Sequence, residues 1–220
     1  MLQSIKKRRE LLIRHFDVKQ EFKAIEESCI PSYVHHNRLA ALVAWLRLTA
    51  AAKLYHRLTP AGDVLDFGAS CGELYHLLKF EEAYHYIETN EILVDALTKW
   101  IPSARRQDLY TLEKARYGAI FALDVFEHLD DIEGVLTRLL LSLRPSGILV
   151  LSGPTENFLY HIGRKISGFG GHYHTTDIYD IETIVSQKMN RLALKNVPWG
   201  IPLFRVSTWE KNKIISRTFI

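Results

Sequence analysis

The stretch Val64-Leu65-Asp66-Phe67-Gly68-Ala69-Ser70-Cys71-Gly72-Glu73-Leu74 decides the fold of this chain. Val64–Phe67 is a short apolar run that suits a strand, and two glycines mark a tight turn after it. Leu74, Leu77 and Leu78 then recur at the i, i+3, i+4 spacing of a helix. A strand, a glycine turn and a helix in that order open an α/β unit. Gly68 and Gly72 let the backbone approach a ligand closely, and a helix starting there offers free N–H groups. The dinucleotide fingerprint G-x-G-x-x-G is not matched, because Ser70 replaces the second glycine and the spacing differs. Asp66, inside the strand end, disfavours a pyrophosphate and favours a cationic ligand. A side chain added at Gly68 is expected to obstruct that ligand while leaving the fold largely intact.

Downstream the same alternation continues. Strands are expected at Ala83–Glu88, Arg105–Asp108, Ala119–Leu123 and Ile148–Ser152. Leu93, Val94, Leu97 and Ile101 form one intervening helical stripe; Ile132, Val135, Leu136, Leu139, Leu140 and Leu143 form another. Arg144-Pro145-Ser146-Gly147 stops the second helix. Strands alternating with helices of this length imply a parallel sheet covered on both faces. After a helix at Ile178–Met189 the pattern changes. Leu192–Val197 and Phe204–Trp209 are joined by Pro198-Trp199-Gly200-Ile201-Pro202, too short for a parallel crossover, so they form an antiparallel hairpin. The expected fold is a Rossmann-like, doubly wound, seven-stranded α/β sheet, mostly parallel, ending in that hairpin.

Upstream, residues 1–59 carry no strand pattern and read as a helical extension to a domain spanning 60–220. Pro31 is expected to separate an outer helix from the next one. The basic run Lys6–Arg9 reads as a solvated helix end. The chain has 220 residues, 47% hydrophobic and 24% charged, which excludes wholesale disorder. Its net charge of +3 is too small to argue nucleic-acid binding. Two cysteines, Cys29 and Cys71, are too few for a disulfide framework or a four-ligand zinc site. No uncharged apolar run approaches the ~20 residues of a membrane-spanning helix. The start MLQSIKKRRELLIRHF lacks the continuous apolar stretch of a secretory signal. A soluble, reducing, cytoplasmic setting is expected.

Four acids fall in register with the strands. Asp66 lies at the end of the first, Glu88 at the end of the second, and Asp108 and Asp124 follow the third and fourth. All sit at the carboxyl edge, where open α/β sheets bind ligands. Glu88 lies 20 residues beyond Gly68, where a carboxylate can accept both hydroxyls of a ribose. Asp108 is placed to accept from an adenine amino group.

On these residues the chain resembles the class I S-adenosylmethionine-dependent methyltransferases over roughly Gly62–Pro154. VLDFGASCGEL resembles the family's glycine-rich first motif, with Ser70 in place of the middle glycine. YIETNE resembles the second motif, QDLYTL supplies the acid near adenine, and ALDVFEHLDD resembles the fourth motif. LLLSLRPSGILVLSGP resembles the helix and strand after it, and the terminal hairpin fits the family's seven-stranded sheet. The resemblance implies S-adenosylmethionine as cofactor and S-adenosylhomocysteine as product; the pair His172 and His174 could ligate a metal, but no Cys or close acidic third ligand accompanies it, so no metal is expected. It implies a cofactor site of Asp66, Gly68, Ala69, Ser70, Gly72, Glu88, Thr89, Asp108, Leu109, Asp124 and Val125. His128, just past the fourth strand, is a candidate general base, against a capping or packing role.

Residues 154–176 fall where related enzymes place acceptor-binding elements. Phe158, Leu159, Ile162 and Ile166 recur at helical spacing, and Gly168, Gly170 and Gly171 form a hinge into His172-Tyr173-His174. The segment is expected to cap the acceptor pocket, with His128, His172 and His174 at its wall; a peripheral membrane anchor is the rival reading. The expected activity is methyl transfer to a small-molecule or lipid-linked acceptor, at oxygen or nitrogen. A non-catalytic cofactor- or partner-binding protein of the same fold, and a nicotinamide-dependent oxidoreductase, are the alternatives. Strand four ends in DVFEHL rather than in an Asn/Asp-Pro-Pro-Tyr/Phe motif, which argues against nucleic acid as acceptor.

Overall fold

The computed structural model describes residues 2–18, 20–26, 28–78, 82–156 and 176–212. The N-terminal part is helical: α1 (Leu2–His15), α2 (Phe22–Ile25), α3 (Ile30–Val34) and α4 (Arg38–Leu58). Strands β1 (Asp63–Phe67), β2 (Tyr84–Ile87), β3 (Arg105–Arg106), β4 (Tyr117–Leu123), β5 (Leu143–Pro154), β6 (Met189–Val197) and β7 (Phe204–Lys211) follow. Between them lie α5 (Glu91–Trp100), α6 (Ile132–Ser142) and α7 (Ile178–Ser186). The sheet has the order β3-β2-β1-β4-β5-β7-β6. All pairings are parallel except those of β7, which runs antiparallel to both β5 and β6.

The two sides of the sheet follow from the period of two along each central strand. Val64, Ala119, Phe121, Ile148 and Val150 face a core shared with α4 and α5. Leu65, Phe67, Ile120, Ala122, Leu149 and Leu151 face a second core with α6 and α7. Both faces being apolar explains why these strands read as continuous hydrophobic runs. On the first side, Ala50, Ala51 and Ala52 of α4 are buried, and α4 packs on β5, β6 and β7. Alanine contributes helix propensity and lets the helix backbone come close to the sheet. Leu12 and Phe16 of α1 and Ile30 and Tyr33 of α3 extend that core outward.

Three local expectations are corrected. The segment after β1 is a chain of turns, with Gly72 N–H donating to the Ala69 carbonyl and Tyr75 N–H to that of Gly72. Ser70 at φ +50° and Gly72 at φ +80° stop helical propagation, yet Leu77 and Leu78 N–H both donate to the Leu74 carbonyl, and Leu74 and Leu78 are buried. Pro31 does not divide two helices. It sits in the first turn of α3, where its fixed φ suits the backbone, and the break comes at His35–Asn37. Asn37 then caps α4 by accepting from the Leu39 and Ala40 N–H groups. Strand β3 is only two residues long, because Gln107 already leaves the ladder after donating to the Tyr86 carbonyl.

Candidate cofactor and acceptor site

The parallel strands end at one edge, and their loops interlock there. Gly68 N–H and Ala69 N–H both donate to the Ile87 carbonyl, tying the β1 loop to the end of β2. Glu88, half-buried at that end, is held from one side: Ser70 N–H donates to Oε2 at 2.8 Å, and Thr89 and Asn90 N–H donate to Oε1 at 2.8 and 2.9 Å. A carboxylate has about four lone-pair sites, so three backbone donors leave it capacity to accept from a ligand. Gly68 has φ +76°, and a Cβ there would lie 2.6 Å from Val125 Cγ2, so the β1 and β4 loops touch. A substitution at Gly68 therefore also disturbs the fold, contrary to the sequence expectation. Ser70 adopts the left-handed backbone at φ +50°, at a cost of roughly 1–2 kcal/mol that a glycine would not incur.

Asp66 is buried behind this loop and accepts from the Tyr84 hydroxyl at 2.6 Å. Burial pushes its carboxyl up to about 7; the Tyr84 bond opposes the shift and the Glu88 charge adds to it. A carboxyl so placed is poised to ionise when a cation arrives. Asp108 lies beyond β3, exposed, and caps the 3-10 turn Leu109–Thr111 by accepting from Tyr110 N–H at 2.7 Å.

The β4 loop carries the rest. Asp124, at φ +54°, is paired to Arg47 of α4 at 2.8 Å and accepts from the Ser152 hydroxyl at 3.0 Å. The Arg47 guanidinium also lies 4.4 Å from the centre of the Phe204 ring. The 3-10 turn Phe126–His128 then sets neighbouring side chains in opposite directions. His128 is exposed, while Glu127 is buried and pushed up to about 8, first by burial and then by the Asp124 charge. Cys29, ahead of α3, faces the same cluster, and burial raises its thiol to about 12.

The structure thus gathers Gly68, Ala69, Ser70, Glu88, Thr89, Asp124 and Val125 at one edge, with Asp66 and Gly72 behind the β1 loop. His128 stands outside the buried cluster, and His172 and His174 lie outside the described residues. Sequence reading missed Glu127 and Arg47. Arg47 had a signal, a lone cation in the apolar run Leu46–Ala52. Glu127 lay inside the quoted DVFEHL, but only the backbone turn shows that it, rather than His128, faces inward.

The N-terminal helices latch onto these loops. Arg8 of α1 makes a two-pronged pair with buried Glu73, and Asn90 Nδ2 donates to the Ala24 carbonyl of α2. With Arg47–Asp124, loops after β1, β2 and β4 are each fastened to a different helix. A groove of about 560 Å³ lies elsewhere, beside α7, but its Glu182 is already paired with Arg191 and Arg205. Among the described residues no three His, Cys, Asp or Glu side chains are grouped to hold a metal ion.

Residues 34–201 match the family described as a methyltransferase domain. A comparison with curated proteins finds no match. Among solved structures, the chain is similar to a protein from Pyrococcus horikoshii OT3, with TM-score 0.65 and 13% identity over 83% of this chain and 96% of that one. It is similar to the N-methyltransferase NodS from Bradyrhizobium japonicum WM9 in complex with S-adenosyl-L-homocysteine, with TM-score 0.62 and 12% identity over 78% and 88%. Magnesium protoporphyrin IX methyltransferase from Synechocystis PCC 6803, with bound S-adenosylhomocysteine, aligns with TM-score 0.60 and 19% identity over 80% and 88%. Identities this low carry the fold alone. The family match, spanning more than half of the sequence, shows that the chain belongs to the methyltransferase-domain family, as a class I S-adenosylmethionine-dependent methyltransferase.

Proposed function

We propose that the chain methylates a small-molecule or lipid-linked acceptor, at oxygen or nitrogen, with the cofactor seated across the loops after β1, β2 and β4. The observation that carries this seating is Glu88, half-buried at the end of β2, whose carboxylate is fixed by Ser70, Thr89 and Asn90 N–H groups. In this reading Glu88 accepts the ribose hydroxyls, Asp108 and Leu109 border the adenine, and Gly68–Gly72 lie along the methionine portion. Asp66 fits a cofactor that carries an amino group, since among the described residues its buried carboxyl accepts from the Tyr84 hydroxyl and forms no ion pair. The sulfonium supplies a methyl group already activated for transfer. The protein's own work is to align the acceptor and keep water out.

In this account residues 1–59 are a helical extension to the domain 60–220, and the acceptor-side candidates His172 and His174 lie outside the described residues. The small net charge supports an acceptor other than nucleic acid. The apolar stripe Phe158–Ile166 leaves peripheral membrane contact open as the way a lipid-linked acceptor is met. Two unpaired cysteines and the lack, among the described residues, of a helix able to cross a membrane support a cytoplasmic setting.

Calorimetry with S-adenosylhomocysteine tests the seating. Glu88→Ala is expected to bind about 1–3 kcal/mol more weakly than the wild type, as for lost hydrogen bonds to a charged group, and NAD to bind poorly to both. Equal affinity in both proteins removes Glu88 from the site.

A further inference from the structure

Tyr84 opens β2 with its side chain buried, and its hydroxyl donates to Asp66 Oδ2 at 2.6 Å. The strand register makes this contact. Tyr84 lies beside Val64, and Asp66 is the next residue of β1 on the same face, one step closer to the carboxyl edge. Directly beside Asp66 stand Tyr86 of β2, whose hydroxyl is shared with Thr98 of α5 at 3.3 Å, and the apolar Phe121 of β4. Glu88 lies past the end of β2, and Cys71 and Glu73 of the β1 loop lie around Tyr84, with Glu73 paired to Arg8 of α1. Among the described residues Asp66 forms no ion pair, so the donor that meets its buried carboxyl is a neutral phenol.

Burial, and after it the Asp66 charge, hold the Tyr84 hydroxyl well above its ordinary value, so it remains a donor throughout the neutral range. A hydrogen bond to a carboxyl strengthens when the carboxyl ionises, so this donor favours the charged form while fixing its orientation. It cannot supply the missing positive charge. A bound ammonium group can. Resting on the methyltransferase reading above, we propose that Tyr84 is a positioning residue for the cofactor: its hydroxyl aims Asp66 at the ammonium group of the methionine portion, and binding there releases one proton from Asp66. The O–H bond of the Asp66 carboxyl breaks, the oxygen keeps the electron pair, and the proton passes to solvent as the ammonium group takes its place. A proton returns to Asp66 when the cofactor leaves, so a full cycle is balanced. Tyr84 keeps its own proton and touches no reacting atom.

The test is calorimetry on the full chain with two probes, S-adenosylhomocysteine and 5′-methylthioadenosine, which keeps the adenosine and thioether but lacks the amino-acid portion. In the wild type, affinity for S-adenosylhomocysteine is expected to rise about tenfold per pH unit below about 7, where Asp66 starts protonated, and to level off above it. Affinity for methylthioadenosine should stay flat over the same range. Tyr84→Phe removes the donor, so Asp66 ionises only at higher pH. At about pH 7 this variant is expected to bind S-adenosylhomocysteine about tenfold more weakly, as for a lost hydrogen bond to a charged group, and to recover part of the loss by about pH 8. It should bind methylthioadenosine as the wild type does, which separates positioning from misfolding. At about pH 6, two buffers of different ionisation heat should show about one proton released per S-adenosylhomocysteine bound to the wild type, and none for Asp66→Asn. A pH-flat affinity for S-adenosylhomocysteine, an unshifted profile in Tyr84→Phe, or an equal loss for both probes in that variant overturns the proposal. If S-adenosylhomocysteine does not bind the wild type at any pH, the methyltransferase seating falls and the proposal with it.

Discussion

At Gly68 one missing Cβ decides two things at once. Its φ of +76° is a backbone that side chains resist, and the space a Cβ would take is filled by Val125. Gly68→Ala is therefore expected to destabilise the protein by about 1–3 kcal/mol in urea unfolding, and Val125→Ala in the same chain to restore part of that loss. No relief from the second substitution would mean that the loops do not meet there. The same scale shows why part of the site was legible and part was not. Asp66, Glu88 and Asp124 announced themselves because strand ends can be read from apolar runs, and an acid at a strand end has a fixed place at the sheet edge. Glu127 and His128 are adjacent, and a 3-10 turn decides which of them is buried. No periodicity in four residues carries that choice.

Among elements, the fastening of helices to loops is what the sequence concealed. Residues 1–59 read as helices, yet nothing local ties Arg8 to Glu73, 65 residues away, or Arg47 to Asp124. Such pairs depend on how α1 and α4 lie over the sheet edge, which only tertiary packing fixes. The helix expected after β1 failed for a related reason: Gly72 and Ser70 take left-handed backbone, and Glu73 is engaged by α1. The antiparallel hairpin, by contrast, followed from a linker too short for a crossover, and β6 and β7 pair as expected. Glu73 is almost wholly buried, so Arg8→Ala leaves a charge without its partner. A loss of about 3 kcal/mol is expected in chemical denaturation, with a smaller loss when Glu73→Gln accompanies it. Additive losses in the double variant would show that the pair does not hold α1 to the β1 loop.

For the whole molecule, the buried acids predict how stability varies with pH. Asp66 and Glu127 have carboxyls raised to about 7 and about 8, so the folded chain holds protons that the unfolded chain has lost. Stability contributed this way is present at low pH and falls as pH rises toward those values. His76 and His85 are shifted down by burial, and their opposite contribution is confined below the ordinary histidine value of about 6.5. Between about pH 6.5 and 8 the ligand-free protein should lose stability, and Glu127→Gln should lose less. Urea midpoints across that range check this; a flat profile in the wild type would contradict it. The central claim is that one ligand site is built from the loops after three parallel strands. Amide hydrogen exchange with and without S-adenosylhomocysteine tests it most directly. The account predicts added protection at residues 68–72, 88–90 and 124–128 together, with the groove lined by Tyr179, Glu182 and Arg191 unchanged. Protection confined to that groove, or absent from all three loops, would contradict it.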